Sequence, residues 1–138
     1  MTTLNVAADR TRPINRTLWV AQVLLGLFMA VASGLPKLFG EATAVQLFDD
    51  IGAGDWLRYF VGVVEVAGGL GLLVGALAGP AAIGLVALML GAAFVQVVVL
   101  DEAAYLATPL VLGVLFALIA WGRWPRTVAL ATTLARRR

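Results

Sequence analysis

Four long apolar stretches, roughly residues 18–36, 56–77, 81–100 and 107–124, occupy most of the 138-residue chain. An α-helix rises about 1.5 Å per residue and the hydrocarbon layer of a bilayer is about 30 Å thick, so a run of about 20 residues crosses it. With 62% hydrophobic and 13% charged residues, against about half and about a quarter in ordinary soluble domains, this chain has more apolar surface than a water-soluble core can take up. The runs are continuous and do not alternate strictly, and no lipid-exposed backbone group can be left unpaired. The fold expected is therefore all-α: a single-domain, polytopic membrane four-helix bundle. "FVQVVVL" alone would read as a strand, but its continuity with "AAIGLVALMLGAA" makes it helical.

The connections differ. Gly79–Pro80 breaks the chain tightly between the second and third stretches, whereas "KLFGEATAVQLFDDIGAGD" separates the first two. Within it, Val45, Leu47, Phe48 and Ile51 can share one face of a short amphipathic helix with Gln46, Asp49 and Asp50 on the other; a plain solvated loop is the competing reading. The first apolar run is longer than the core of an ordinary signal peptide and three more follow, which favours a retained span.

Charge sets the orientation. Arg10, Arg12 and Arg16 precede the first span, and Arg123, Arg126, Arg136, Arg137 and Arg138 end or follow the fourth. Positive residues stay inside, so both termini are expected on the cytoplasmic side of a prokaryotic inner membrane. The opposite side carries Lys37 and Arg58 with Glu41, Asp49, Asp50, Asp55, Asp101 and Glu102, and is acidic on balance. Trp19, Trp56, Trp121 and Trp124 lie near span ends, where an apolar ring with a polar N–H suits the headgroup boundary. The terminal arginines read as topology signals and anionic-lipid contacts rather than a nucleic-acid surface.

The chain has no cysteine and no histidine. Disulfides, a cysteine nucleophile, CxxC redox chemistry, histidine-ligated haem and zinc sites built from these side chains are excluded. No P-loop or dinucleotide fingerprint is present: "GGLGLLVG" lies within a span and "GAGDW" is too short for a phosphate loop.

Polar residues inside the spans are the informative exceptions. Gln22, Gly26, Ala30, Ser33 and Lys37 recur every three or four residues and form one face of the first helix; Gly62, Glu65 and Gly69 do the same in the second. Gly71 and Gly75 mark an adjacent face of that helix, while Gly84, Gly91, Gly113 and Ala117 suggest close packing of the last two. Alternating span directions place Lys37, Glu65 and Gln96 at similar depth, so the three are expected to meet or share water. An isolated carboxylate in hydrocarbon is costly, and a lysine and an amide would compensate it. Three roles fit such a cluster: a structural clasp, a ligand-facing site or part of a proton path.

The stretches "VLLGLFMAVASGLPKLFG", "FDDIGAGDWLRYFVGVVEVAGGLGLLVG" and "PAAIGLVALMLGAAFVQVV", with "TPLVLGVLFALIAW" as a fourth helix, resemble the DoxX-like family of small four-helix membrane proteins. Lys37 resembles the family's lysine near the outer end of helix 1, and Gly62, Glu65 and Gly69 its G-x-x-E-x-x-x-G pattern in helix 2. Two positions depart. Gly54 stands where many relatives have proline, and Gln96 where many have a histidine, which keeps hydrogen bonding but removes a readily titrated ring.

The resemblance implies association with membrane redox systems, quinone-linked oxidation or oxidative-stress complexes. Three functions compete. The first is an accessory or scaffold subunit with a membrane redox-protein partner. The second is a small membrane enzyme acting on a quinone-like or other lipid-soluble substrate, with Glu65 and Lys37 as candidate catalytic residues and Gln96 and Tyr59 as candidate substrate-binding residues. Quinone is the cofactor this would imply, and no metal is expected. The third, transport or proton movement, is disfavoured by the lack of a continuous polar face or an inverted repeat. Small-residue faces also allow a homo-oligomer.

Overall fold

The computed structural model describes residues 2–137, with side chains described from Pro13 onward; the side chains of Arg10 and Arg12, and Arg138, lie outside the described residues. Among the described residues the chain is helical, with no strand. The α-helices are α1 (Thr2–Leu27), α2 (Leu35–Phe39), α3 (Ala42–Ile51), α4 (Asp55–Leu73), α5 (Ala78–Phe94), α6 (Ala107–Gly122) and α7 (Trp124–Ala135). Two π-helical segments, Phe28–Gly34 and Val95–Val99, and a 3₁₀ turn, Ala103–Tyr105, complete them. Four continuous rods, Pro13–Phe39, Asp55–Leu73, Ala78–Val99 and Ala103–Gly122, are long and apolar enough to cross a membrane.

The first rod passes from α1 through the π-helical segment into α2. Pro36 lacks an N–H and its ring would crowd the carbonyl four residues back. The wider π register lies just ahead of it, with Leu35 N donating to Ala30 O, and carries the rod past the proline. Gly40 ends α2 at φ 72°, and α3 follows at once. Glu41 caps α3, its carboxylate accepting from the backbone N–H groups of Thr43 and Ala44 at 3.1 Å each. Phe48 is buried, Ala44, Val45 and Ile51 are half-buried, and Leu47 points away with Gln46, Asp49 and Asp50.

Gly52 ends α3 and Gly54 precedes α4, both at φ 74°. Proline is locked near −65°, so Gly54 marks a connector conformation that a proline at this position cannot adopt.

The first two rods meet backbone to backbone. A Cβ added to Gly69 would lie 2.5 Å from Gly26 O and 2.8 Å from Ala30 N, and one on Gly34 would lie 2.7 Å from Val66 Cγ2 and 3.0 Å from Gly62 O. The other side of α4 meets α5, where a Cβ on Gly68 would reach Leu85 Cδ2 at 2.7 Å and one on Gly71 would reach Ala81 Cβ at 2.8 Å. The small-residue faces of α4 thus serve two neighbours. The core between the rods consists of Met29, Leu72, Ala82, Leu85, Met89, Phe116 and Ile119. Outward apolar side chains such as Leu24, Val63, Leu90 and Leu118 are exposed, as expected where lipid is the solvent.

One packing expectation fails. Gly84 and Gly91 have nothing within 4 Å of an added Cβ and lie on the exposed side of α5. Glycine is common in membrane helices generally, so its presence alone does not locate an interface.

Candidate functional site

At one end of the bundle the polar faces of the first two rods close on each other. Lys37 Nζ lies 2.8 Å from Glu65 Oε2 and donates to Ser33 Oγ at 3.1 Å and to Ser33 O at 3.0 Å. Ser33 Oγ in turn donates to Glu65 Oε1 at 3.0 Å. Glu65 is 4% exposed.

The helical periodicity explains the convergence. Ser33 and Lys37 are four residues apart on one face, and Gly62, one turn before Glu65, lets Lys37 and Leu38 approach: its added Cβ would lie 3.1 Å from Lys37 Cβ. A buried carboxylate opposite one cation is neutralised in place, which offsets much of its desolvation cost. Oε2 meets Lys37 as an ion pair at 2.8 Å, while two of the three ammonium protons are taken by Ser33 O and Oγ.

Arg58 reinforces this end. It is only 4% exposed, which charge placement alone did not predict. Its Nη1 makes a short hydrogen bond to Lys37 O, satisfying one of the last carbonyls of α2. Its Nη2 lies 2.7 Å from Asp55 Oδ1. Lys37 is therefore tied to α4 through both its side chain and its backbone. The signal in the sequence was Asp55 three residues before Arg58, a spacing that pairs charges on one helical face.

Gln96 and Tyr59 lie apart from this cluster. Gln96 falls in the second π-helical segment, and its side chain donates to Glu102 Oε2 at 3.4 Å while its carbonyl accepts from Glu102 N at 2.9 Å. The turn into α6 engages it, and among the described residues the expected meeting with Lys37 and Glu65 does not occur. Tyr59 is 47% exposed and its ring stacks under Arg58, 4.4 Å from guanidinium carbon to ring centroid.

A second buried polar node lies at the other end of the bundle. Gln22 Nε2 donates to Leu72 O at 2.8 Å, and Arg123 donates through Nε to Gln22 Oε1 at 2.5 Å and through Nη1 to Asn15 Oδ1 at 2.6 Å. Arg123 also faces the Trp19 ring at 5.4 Å. The two Arg123 bonds join residues 101 and 108 positions apart and put the start of the first span beside the end of the fourth. Gln22 stood out in the sequence as the polar end of a glycine face, but nothing there paired it with Arg123.

Among the described residues, no group of three or more acidic side chains is placed to hold a metal ion. The buried Lys37–Ser33–Glu65 pairing within four membrane-length rods defines a multi-pass helical membrane protein with an internal charge-paired crossing. Residues 20–119 match the model of the DoxX-like family. The chain belongs to that family. Comparison with curated proteins and with solved structures returned no match.

Proposed function

We propose that this DoxX-like chain is an accessory or scaffold subunit of a membrane-associated redox or stress-response system, with both termini on the cytoplasmic side of a prokaryotic inner membrane. The carrying observation is the closure of Glu65 by Lys37 and Ser33. The chain's in-span carboxylate is spent on joining two helices, which is what a rigid structural component requires. The orientation rests on the arginines flanking the first and last spans. In this placement α3 and the acidic connectors lie outside, where they offer a surface to a partner.

The enzyme reading keeps one observation in its favour. Glu65 Oε2 is held by Lys37 alone, so a hydroxyl on a quinone-like head group could donate to it if Lys37 swung aside.

The test is purification of the tagged chain from its native membrane, identification of copurifying proteins, and assay of the partner's redox activity with and without the chain. One defined partner whose activity falls when the chain is absent supports the scaffold reading. Turnover of a quinol analogue by the chain alone, abolished by Glu65→Gln without loss of folding, would overturn it in favour of the enzyme.

A further inference from the structure

Arg123 is a buried cation with spare capacity. Its residue is 2% exposed, and two of its guanidinium nitrogens are held by Gln22 and Asn15. The third, Nη2, is buried and has no hydrogen-bond partner among the described residues. A buried donor left unpaired costs about 1–3 kcal/mol, more when charged, so a structure that holds one invites an acceptor.

Arg123 lies in the wall of an open groove of about 390 Å³, lined also by Ile14, Asn15, Leu18, Pro125 and Arg126. Burial, and then the positive charge of Arg126, hold the Arg123 guanidinium below its usual pKa. It stays charged at neutral pH all the same. Among the described residues neither arginine has a carboxylate partner. The node therefore carries two mutually repelling cations, with no acceptor for Nη2 among the described residues, in a groove also lined by the apolar side chains of Ile14, Leu18 and Pro125. Trp121 and Trp124, both exposed, flank it at the level of a membrane interface.

We propose that this groove binds an anionic phosphate group, with Arg123 and Arg126 as its two cations. Arginine forks match phosphate oxygens in geometry, and a phosphodiester's single negative charge would cut the node's charge from +2 to +1 and relieve the repulsion between the two cations. A phosphodiester that carries its own ammonium group would bring a third cation into the node, so the site selects head groups of net negative charge. The apolar wall suits the glycerol and first methylenes of a phospholipid, while free phosphate shares the recognised chemistry. This site is at the opposite end of the bundle from the Lys37–Glu65 pair and does not depend on the role proposed for the chain.

The experiment is native mass spectrometry of the full chain in neutral detergent, with equal additions of phosphatidylglycerol or phosphatidylcholine, repeated with millimolar inorganic phosphate. Phosphatidylglycerol should be retained at least fivefold over phosphatidylcholine, and Arg126→Gln should lower that retention about fivefold, the weight of one interfacial arginine. Arg137→Gln, outside the groove, should change it less than twofold. Displacement of the lipid by inorganic phosphate would identify the phosphate group itself as sufficient; no displacement would identify the lipid as the ligand. Arg123→Gln also removes bonds to Gln22 and Asn15 and can unfold the chain, so Arg126→Gln is the deciding variant. Equal retention of the two lipids, or full retention by Arg126→Gln, would overturn the proposal.

Discussion

Ser33 stands between Lys37 and Glu65, accepting from the ammonium at 3.1 Å and donating to the carboxylate at 3.0 Å. The hydroxyl thus relays polarity between two charges that also touch directly at 2.8 Å. Removing either charge leaves the other buried, whereas removing both leaves a neutral crossing.

Lys37→Met should consequently destabilise the folded bundle by about 3–5 kcal/mol, the usual cost of orphaning a buried charge. The double variant Lys37→Met/Glu65→Leu should recover most of that loss. Thermal unfolding in a fixed detergent measures both. A double variant no more stable than Lys37→Met would show that the pair does not act as a neutralised unit.

The Gly26–Gly69 contact predicts a sharp contrast between glycines. Gly69→Ala drives a methyl into Gly26 O and Ala30 N, backbone atoms that cannot rotate away, and should cost about 1–3 kcal/mol as overpacking. Gly84→Ala meets open space and should be neutral or stabilising by up to about 1 kcal/mol through helix propensity. The same unfolding measurement compares them, and similar losses at the two positions would contradict the crossing described above.

Glu41 predicts a pH dependence local to α3. Its backbone hydrogen bonds from Thr43 and Ala44, with a further bond from the Thr43 hydroxyl, hold its carboxyl below the ordinary pKa of 4.5. A carboxyl whose folded pKa is depressed stabilises fully above its unfolded value and loses that contribution as pH falls through the folded value. Amide exchange at Thr43 and Ala44, corrected for the intrinsic pH effect, should therefore stay slow down to the carboxylate range and speed up on acidification below about pH 4, where free glutamates titrate. Glu41→Ala should show fast exchange at all pH values. Persistent protection in Glu41→Ala would mean that packing of Phe48, rather than the cap, orders this end.

The sequence by itself determined the four spans, the helical class and the two faces that join the first rods, because bilayer thickness and helical period act along the chain. Gln22, Gly26, Ala30, Ser33 and Lys37 on one face, and Gly62, Glu65 and Gly69 on the other, needed only a spacing of three or four residues to be recognised. Depth along a span also placed Lys37 near Glu65. It placed Gln96 there too, and the tertiary structure decided otherwise: depth is one coordinate, whereas contact also needs rotation about the helix axis, and the turn through Asp101 and Glu102 draws Gln96 to itself. Rotation likewise decided that Gly69 packs and Gly84 does not. The burial of Arg58 and Arg123 was beyond linear pattern for the same reason. A charge at a span end reads as solvated until distant carbonyl and amide groups, Lys37 O for one and Gln22 and Asn15 for the other, are brought within hydrogen-bonding reach by the packing of whole helices.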